Sequence, residues 1–441
     1  MSFFRFRSWV VALALMASPP VARALTLEVE RHTLTNGVPV LLRPMHAVPI
    51  TTLQILYQCG SRDEVVGATG ISHLLEHLMF DGSERFPAGS FDRLLEAAGG
   101  SSNGYTWTDV TAYMETFPPA ALPLALDLEA DRIRALALTP EVLEMERDVV
   151  SEERRQTVED DDREAAWEAL FSLVFQAYPY RDPVIGWMED IQALTQAQVQ
   201  ARYELCYAPA NALVVLTGDV APAEALPALE AALGGLEAGA AVQHPRWNEP
   251  PQAGERRAVL WRAVPQPSFV VGYLGPAAAD PDQPALELLD HVLSGGRSSV
   301  LVDALVYRRE VLAEVSTTLL PMQAASLLLV EGTPADGVDP HTALAAVEEV
   351  LAQVRAVPLP AAALARARRA AERSLVEELE GVEGSADLLG TWELQAGGWE
   401  RLTERPARWA EVSPEALRAV AARWLLPQHQ NVVLVLPKED R

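Results

Sequence analysis

His73-Leu74-Leu75-Glu76-His77 sets two imidazoles four residues apart with a carboxylate between them, and the fold is read outward from this stretch. A helix is expected over 70–80. On a helix, residues four apart project from one face, so His73 and His77 can reach one metal ion. Glu76 lies beside that face, where its carboxylate can hold and deprotonate a water at the metal. The plain alternative is a helix whose histidines cap an apolar core.

A catalytic zinc needs three protein ligands and an open position. The third ligand is expected from Glu146-Arg147-Asp148-Val149-Val150-Ser151-Glu152-Glu153, where Glu146 and Glu153 stand two turns apart on one helical face. Glu153 can complete the site, with Glu146 supporting it from further along that face. The order His-x-x-Glu-His reverses the commoner His-Glu-x-x-His, and the reversed form is a zinc-peptidase signature. The nearby run Glu159-Asp160-Asp161-Asp162 reads as a solvated face.

The chain has 441 residues and is 49% hydrophobic, enough for two domains with their own cores. The first half reads as strands 38–43 and 51–58, helices 70–80 and 90–98, a hairpin 101–117, long helices across 120–176, and an apolar strand 211–217. In the second strand, Leu53, Ile55 and Tyr57 alternate with polar residues. The second half repeats the plan with strands 258–262 and 268–274, a helix around 284–293 and a last strand 431–436. Leu288-Leu289-Asp290-His291-Val292-Leu293 echoes Leu74-Leu75-Glu76-His77-Leu78-Met79. The expected fold is therefore α+β, two homologous domains that are each a mainly antiparallel sheet packed with helices. They are expected at 25–234 and 256–441, joined by a Gly-, Ala-, Pro- and Gln-rich linker 235–255.

Residues 1–24 have the pattern of an export signal: Arg5 and Arg7, an apolar run over 9–17, Pro19-Pro20, then Ala22-Arg23-Ala24. A mature chain starting at Leu25, periplasmic or secreted and without a stable membrane span, is expected; a retained N-terminal anchor is the rival reading. Removing those residues and their three arginines takes the formal charge from −26 to −29. Such a surface repels phosphate backbones and excludes nucleic acid as a partner. Of Cys59 and Cys206, two free buried thiols are expected, with one disulfide as the alternative.

Gly60-Ser61-Arg62-Asp63-Glu64, Gly67-Ala68-Thr69-Gly70-Ile71-Ser72, the stretch 73–80 and Gly82 resemble the signature of the pitrilysin and mitochondrial-processing-peptidase family. Asn103 with Asp109-Val110-Thr111-Ala112-Tyr113, Glu146-Arg147-Asp148-Val149-Val150 and Pro183-Val184-Ile185-Gly186 extend the likeness. Tyr178-Pro179-Tyr180 fits too, with tyrosine where many relatives carry histidine. The resemblance implies half of a clamshell, with one Zn2+ per chain on His73, His77 and the glutamate 76 residues after His77, which selects Glu153 over Glu152. It makes Glu76 the general base and Glu146 its support. It also implies that peptide adds as a β-strand along an edge near the zinc, at Asn103, Gly104 and Tyr105. An ordinary polar hairpin is the alternative there.

One part of the family pattern is broken. Active relatives carry an arginine and, seven residues later, a tyrosine that contact substrate and the developing oxyanion. Tyr307 and Glu314 stand there instead, and an ionised Glu314 cannot donate a hydrogen bond. Arg308 or Arg309 can substitute only from a shifted register. The family's two-chain members suggest another answer, a homologous subunit without zinc that supplies the Arg/Tyr pair. The chain is thus identified as resembling the zinc-bearing subunit of the bacterial two-subunit type, an endopeptidase acting on peptides or unfolded segments. Glu287, Asp290 and His291 are expected to be a vestige of duplication. The rival readings are a non-catalytic assembly subunit and a peptide-binding module that captures strands without cleaving them.

Overall fold

The computed structural model describes residues 25–244 and 248–438. The proposed export signal lies outside the described residues. Two sheets organise the chain. The first has the order β1-β2-β6-β3-β5-β4, from Glu30–Thr33 (β1), Pro39–Pro44 (β2), Thr51–Tyr57 (β3), Ser101–Thr106 (β4), Thr111–Phe117 (β5) and Ala212–Gly218 (β6). The second has the order β7-β11-β8-β10-β9, from Arg256–Arg262 (β7), Ser268–Gly275 (β8), Leu312–Pro321 (β9), Ser326–Pro334 (β10) and Asn431–Pro437 (β11). Without β1 the two orders are the same. Among the described residues only β2–β6 and β7–β11 pair in parallel, again at equivalent places. The duplicated α+β plan is thus present in the topology, with two homologous mainly antiparallel sheets.

The alternation read in β3 implied one solvated face, but all seven of its residues are buried. The covering element comes from the far end of the chain. Helix Val382–Gln395 packs on β3 and β6, and a Cβ on Gly390 would run into Leu56. The polar face of β3 is partly paired beneath it, with Gln54 Oε1 left without a partner among the described residues. Gln54 Nε2 donates to Asp387 Oδ1 at 3.0 Å, and the Thr52 and Thr116 hydroxyls pair at 2.8 Å. Helix Asp162–Val174 makes the reverse crossing onto β7, β8 and β11, with Leu170 seated against Gly272. Each sheet is therefore roofed by a helix from the other half. Its cap uses part of the acidic run: Asp161 accepts from the amides of Arg163 and Glu164, and Asp162 bonds Arg262.

The free thiols expected at positions 59 and 206 are corrected, because Cys59 and Cys206 form a disulfide with Cα atoms 5.6 Å apart. The antiparallel register of β3 on β6, with Tyr57 opposite Ala212, carries the turn after β3 toward the end of helix Gln196–Cys206. A separation of 147 residues hides that proximity in the sequence. Among the described residues, no helix is long and apolar enough to cross a membrane.

Candidate metal centre

The central helix, Ile71–Leu78, has eight residues and is set by its N-terminus. Gly70 takes φ +82°, and a Cβ there would run into the Ile185 carbonyl, so only glycine fits. Glu64 does the capping, its two oxygens accepting from the Gly70 and Ser72 amides at 2.8 Å each. Burial raises its carboxyl to about 7, against the pull of Arg202. Arg202 holds the Gly60 and Asp63 carbonyls and the Ser72 hydroxyl at 2.7–2.9 Å. The glycines and acids around the histidines thus fix where the helix begins.

From that start, His73 and His77 face helix Pro140–Arg154. His77 Nε2 lies 3.2 Å from Glu153 Oε2, and His73 Nε2 lies 3.8 Å from Glu153 Oε1. On the other side of the ring, His77 Nδ1 lies 3.3 Å from Glu146 Oε2. Burial opposes charging of His77, but the neighbouring Glu146 and Glu153 carboxylates outweigh it and hold the imidazole at about 10. Burial takes His73 the other way, down to about 4. Thr106, on β4, donates to Glu76 Oε2 at 2.6 Å. Burial raises the Glu76 carboxyl, and the Thr106 bond offsets part of that.

The residues fit a zinc ion. Among the described residues, His73, His77 and Glu153 form one group whose donor atoms all lie within 4.8 Å of one another. Glu153 Oε2 is buried and faces the His77 ring at 3.2 Å without hydrogen-bond geometry, an arrangement that a cation between them would complete. Two imidazoles and a carboxylate are also a donor set that zinc accepts in sites with an open position.

Two cavities flank this trio. One, of about 420 Å³, opens beside His73 and Glu153 and is walled by Trp107, Val158, Trp167, Phe171 and Val184. The other, of about 540 Å³, opens beside Glu76 and His77 and is lined by Asp81, Asp92, Glu96 and Glu146, with Phe80 on its wall.

Residues 40–186 match the insulinase (peptidase family M16) pattern, and residues 193–371 match that of the peptidase M16 inactive domain. Zinc protease PqqE of Helicobacter pylori is 32% identical over 304 residues, which is 68% of this chain and 68% of that protein. The chain belongs to peptidase family M16. A probable mitochondrial-processing peptidase subunit beta of Arabidopsis thaliana is 25% identical over 270 residues, 61% of the M16 chain and 51% of the plant protein. The crystal structure of a protease from Helicobacter pylori superposes with a TM-score of 0.89 at 27% identity, covering 93% of the M16 chain and 100% of its counterpart.

The remaining site residues are placed as follows. Asn103, Gly104 and Tyr105 lie on β4, the outermost strand of its sheet. The Tyr105 side chain turns away to Asp387, donating at 2.6 Å, so this residue offers the open edge its backbone alone. Tyr307 is half-exposed with Arg297 over its ring, and Glu314 is exposed on β9. Arg308 pairs with Asp303 and Arg309 with Glu349, both inside the second half. Three contributors were missed in the sequence. Asp81, four residues after His77, could have been found from that spacing; burial, then Glu146, raises it to about 7. Thr106 carried no such signal, and Asp109 was noted only as part of the family likeness, without a role. Asp109 accepts from Arg62 and the Tyr180 hydroxyl at 2.6 Å each and from the Gln323 amide at 2.9 Å, tying the β4–β5 turn to the β9–β10 turn.

Proposed function

We propose that this M16 peptidase is a zinc-dependent endopeptidase that binds peptides or unfolded segments as a strand added to β4. The observation that carries the reading is the convergence of both imidazole Nε2 atoms on Glu153, with Thr106 bonded to Glu76. His73, His77 and Glu153 hold one zinc per chain within a first domain at 25–234, and 256–441 is its inactive counterpart. When bound, the metal supplies Lewis acidity at the water and at the scissile carbonyl. Glu76 takes a proton from the attacking water and returns it to the leaving amine nitrogen. Water thus adds across the C–N bond and no other reactant is needed. Glu146 fixes the ring of His77 through Nδ1. The backbone of Asn103, Gly104 and Tyr105 pairs with the substrate, so main-chain bonds supply much of the affinity.

The chain acts as the zinc-bearing subunit of a heterodimer. In support, Tyr307 and Glu314 stand where the family resemblance implies arginine and tyrosine, and one relative is by name a subunit of a processing peptidase. A homologous zinc-free partner supplies the missing pair. Residues 1–24 export the chain, so the substrates are periplasmic or extracellular peptides.

The same absent pair favours a second reading, a non-catalytic assembly or peptide-binding subunit that retains the metal site. Incubation with a library of basic peptides, with and without a homologous partner, separates the two by mass spectrometry. Cleavage that disappears in Glu76→Gln is the expected result. A library left intact under both conditions would leave the non-catalytic reading standing.

A further inference from the structure

The second domain has a cavity of about 540 Å³ beside its echo helix, as the first has its acid-lined one beside Ile71–Leu78. His291, the echo of His77, lines it, as His77 lines the other. The long helix packed against each echo helix supplies another wall. In the first domain that helix is Pro140–Arg154 and brings Glu146; in the second it is Ala361–Glu380 and brings Ala363, Arg366 and Ala367. The charge is inverted. Arg308, Arg309 and Arg366 line this cavity, whereas Asp81, Asp92, Glu96 and Glu146 line the first, and Asp303 is the single acid of the lining.

Two of these arginines are balanced. Arg308 bonds Asp303 at 2.7 Å, and Arg309 bonds Glu349 at 2.8 Å. Arg366 makes no ion pair among the described residues; its polar contact is the Ser298 carbonyl at 3.5 Å. Ser299, only 8% exposed, lines the same cavity, and its hydroxyl has no hydrogen-bond partner among the described residues. A buried unsatisfied hydroxyl and an exposed, unpaired guanidinium in one lining leave donors for an acceptor group. Val292, Val300, Ala304, Val350 and Leu359 give the wall an apolar part, and Gln353 and His291 add polar groups. The volume lies within the range of ordinary small-molecule sites. On a chain of formal charge −26, a pocket presenting an unpaired arginine is a selective exception.

We propose that this cavity binds a small amphipathic anion, an apolar body carrying one carboxylate, held at its head by Arg366 and Ser299. The site is independent of the metal centre and asks nothing of it.

Isothermal titration of the full chain with octanoate, octylammonium and inorganic phosphate tests the proposal. Octanoate is expected to saturate one site, and octylammonium and phosphate to give no saturable heat. Arg366→Glu, an exposed substitution, is expected to weaken octanoate at least about tenfold, consistent with loss of a charge-assisted contact. Ala363→Trp, which fills the cavity, is expected to remove binding, with the thermal transition of both variants monitored for folding. Absence of saturable octanoate binding overturns the proposal. So does phosphate binding as tightly as octanoate, or octanoate affinity unchanged in a folded Arg366→Glu variant.

Discussion

The two echo helices, Ile71–Leu78 and Gln283–Ser294, occupy the same place in matching sheets, yet among the described residues only the first gathers side chains that could hold a metal. In the first, His73 and His77 converge on a carboxylate from a neighbouring helix, and one of its oxygens has no hydrogen-bond partner among the described residues. In the second, the corresponding polar groups are occupied by structural partners. Glu287 accepts from the Trp409 indole at 2.6 Å, and Asp290 accepts from Thr317 at 2.5 Å. His291 is held below its ordinary pKa by burial, followed by Arg405. The fold thus fixes where a site can stand, and a few side chains decide whether chemistry occurs there.

The largest effect that could break this contrast is catalytic. Glu76→Gln is expected to lower kcat by roughly 10²–10⁴-fold, the usual contribution of a general base, while zinc stays bound. Asp290→Asn, its echo, is expected to leave kcat unchanged. Steady-state assays of the two variants decide it, and equal losses would erase the distinction between the domains.

The disulfide distinguishes the halves as well, because both of its cysteines lie in the first. Closing a loop of 147 residues is worth about 5 kcal/mol in the chain-entropy picture. Urea unfolding of the Cys59→Ala, Cys206→Ala double variant should show a loss of that order. An unchanged midpoint would mean the bond contributes nothing to the site-bearing half.

Next come the exchanged helices. Leu56 and Leu170 are both fully buried, one under the helix from the second half and one on the helix from the first. Leu56→Ala and Leu170→Ala should each cost roughly 2–5 kcal/mol. If the halves fold as one unit, both variants lower a single calorimetric transition. Two separating transitions would show that the crossed helices do not couple the sheets.

The smallest expected effect concerns the open edge. Tyr105→Phe removes a hydrogen bond to Asp387 and should cost about 1–2 kcal/mol of stability without changing zinc content. A loss of zinc would place Tyr105 in the metal centre.

Much of this was legible in the sequence, and what was not has physical reasons. The helix at His73 and most strands announce themselves by spacing and apolar runs, Glu153 was singled out through the family resemblance, and the echo at Leu288 gives the duplication. The β9–β10 hairpin was not read, because its turn at Gln323-Ala324-Ala325 lacks the glycine or asparagine that marks a tight turn. The alternation in β3 misled because the covering helix arrives from residues 382–395, a contact no local pattern encodes. The pairing of Cys59 with Cys206 was hidden by the same kind of distance. Thr106 escaped because a hydroxyl bonded to the Glu76 carboxylate has no characteristic spacing.

The central claim is that the metal-binding chemistry belongs to the first domain alone. Zinc analysis of the purified chain, its His77→Ala variant and its Glu76→Gln variant tests it most directly. The account predicts one zinc per chain in the parent and in Glu76→Gln, and none in His77→Ala. A metal-free parent, or zinc retained after loss of His77, would contradict it.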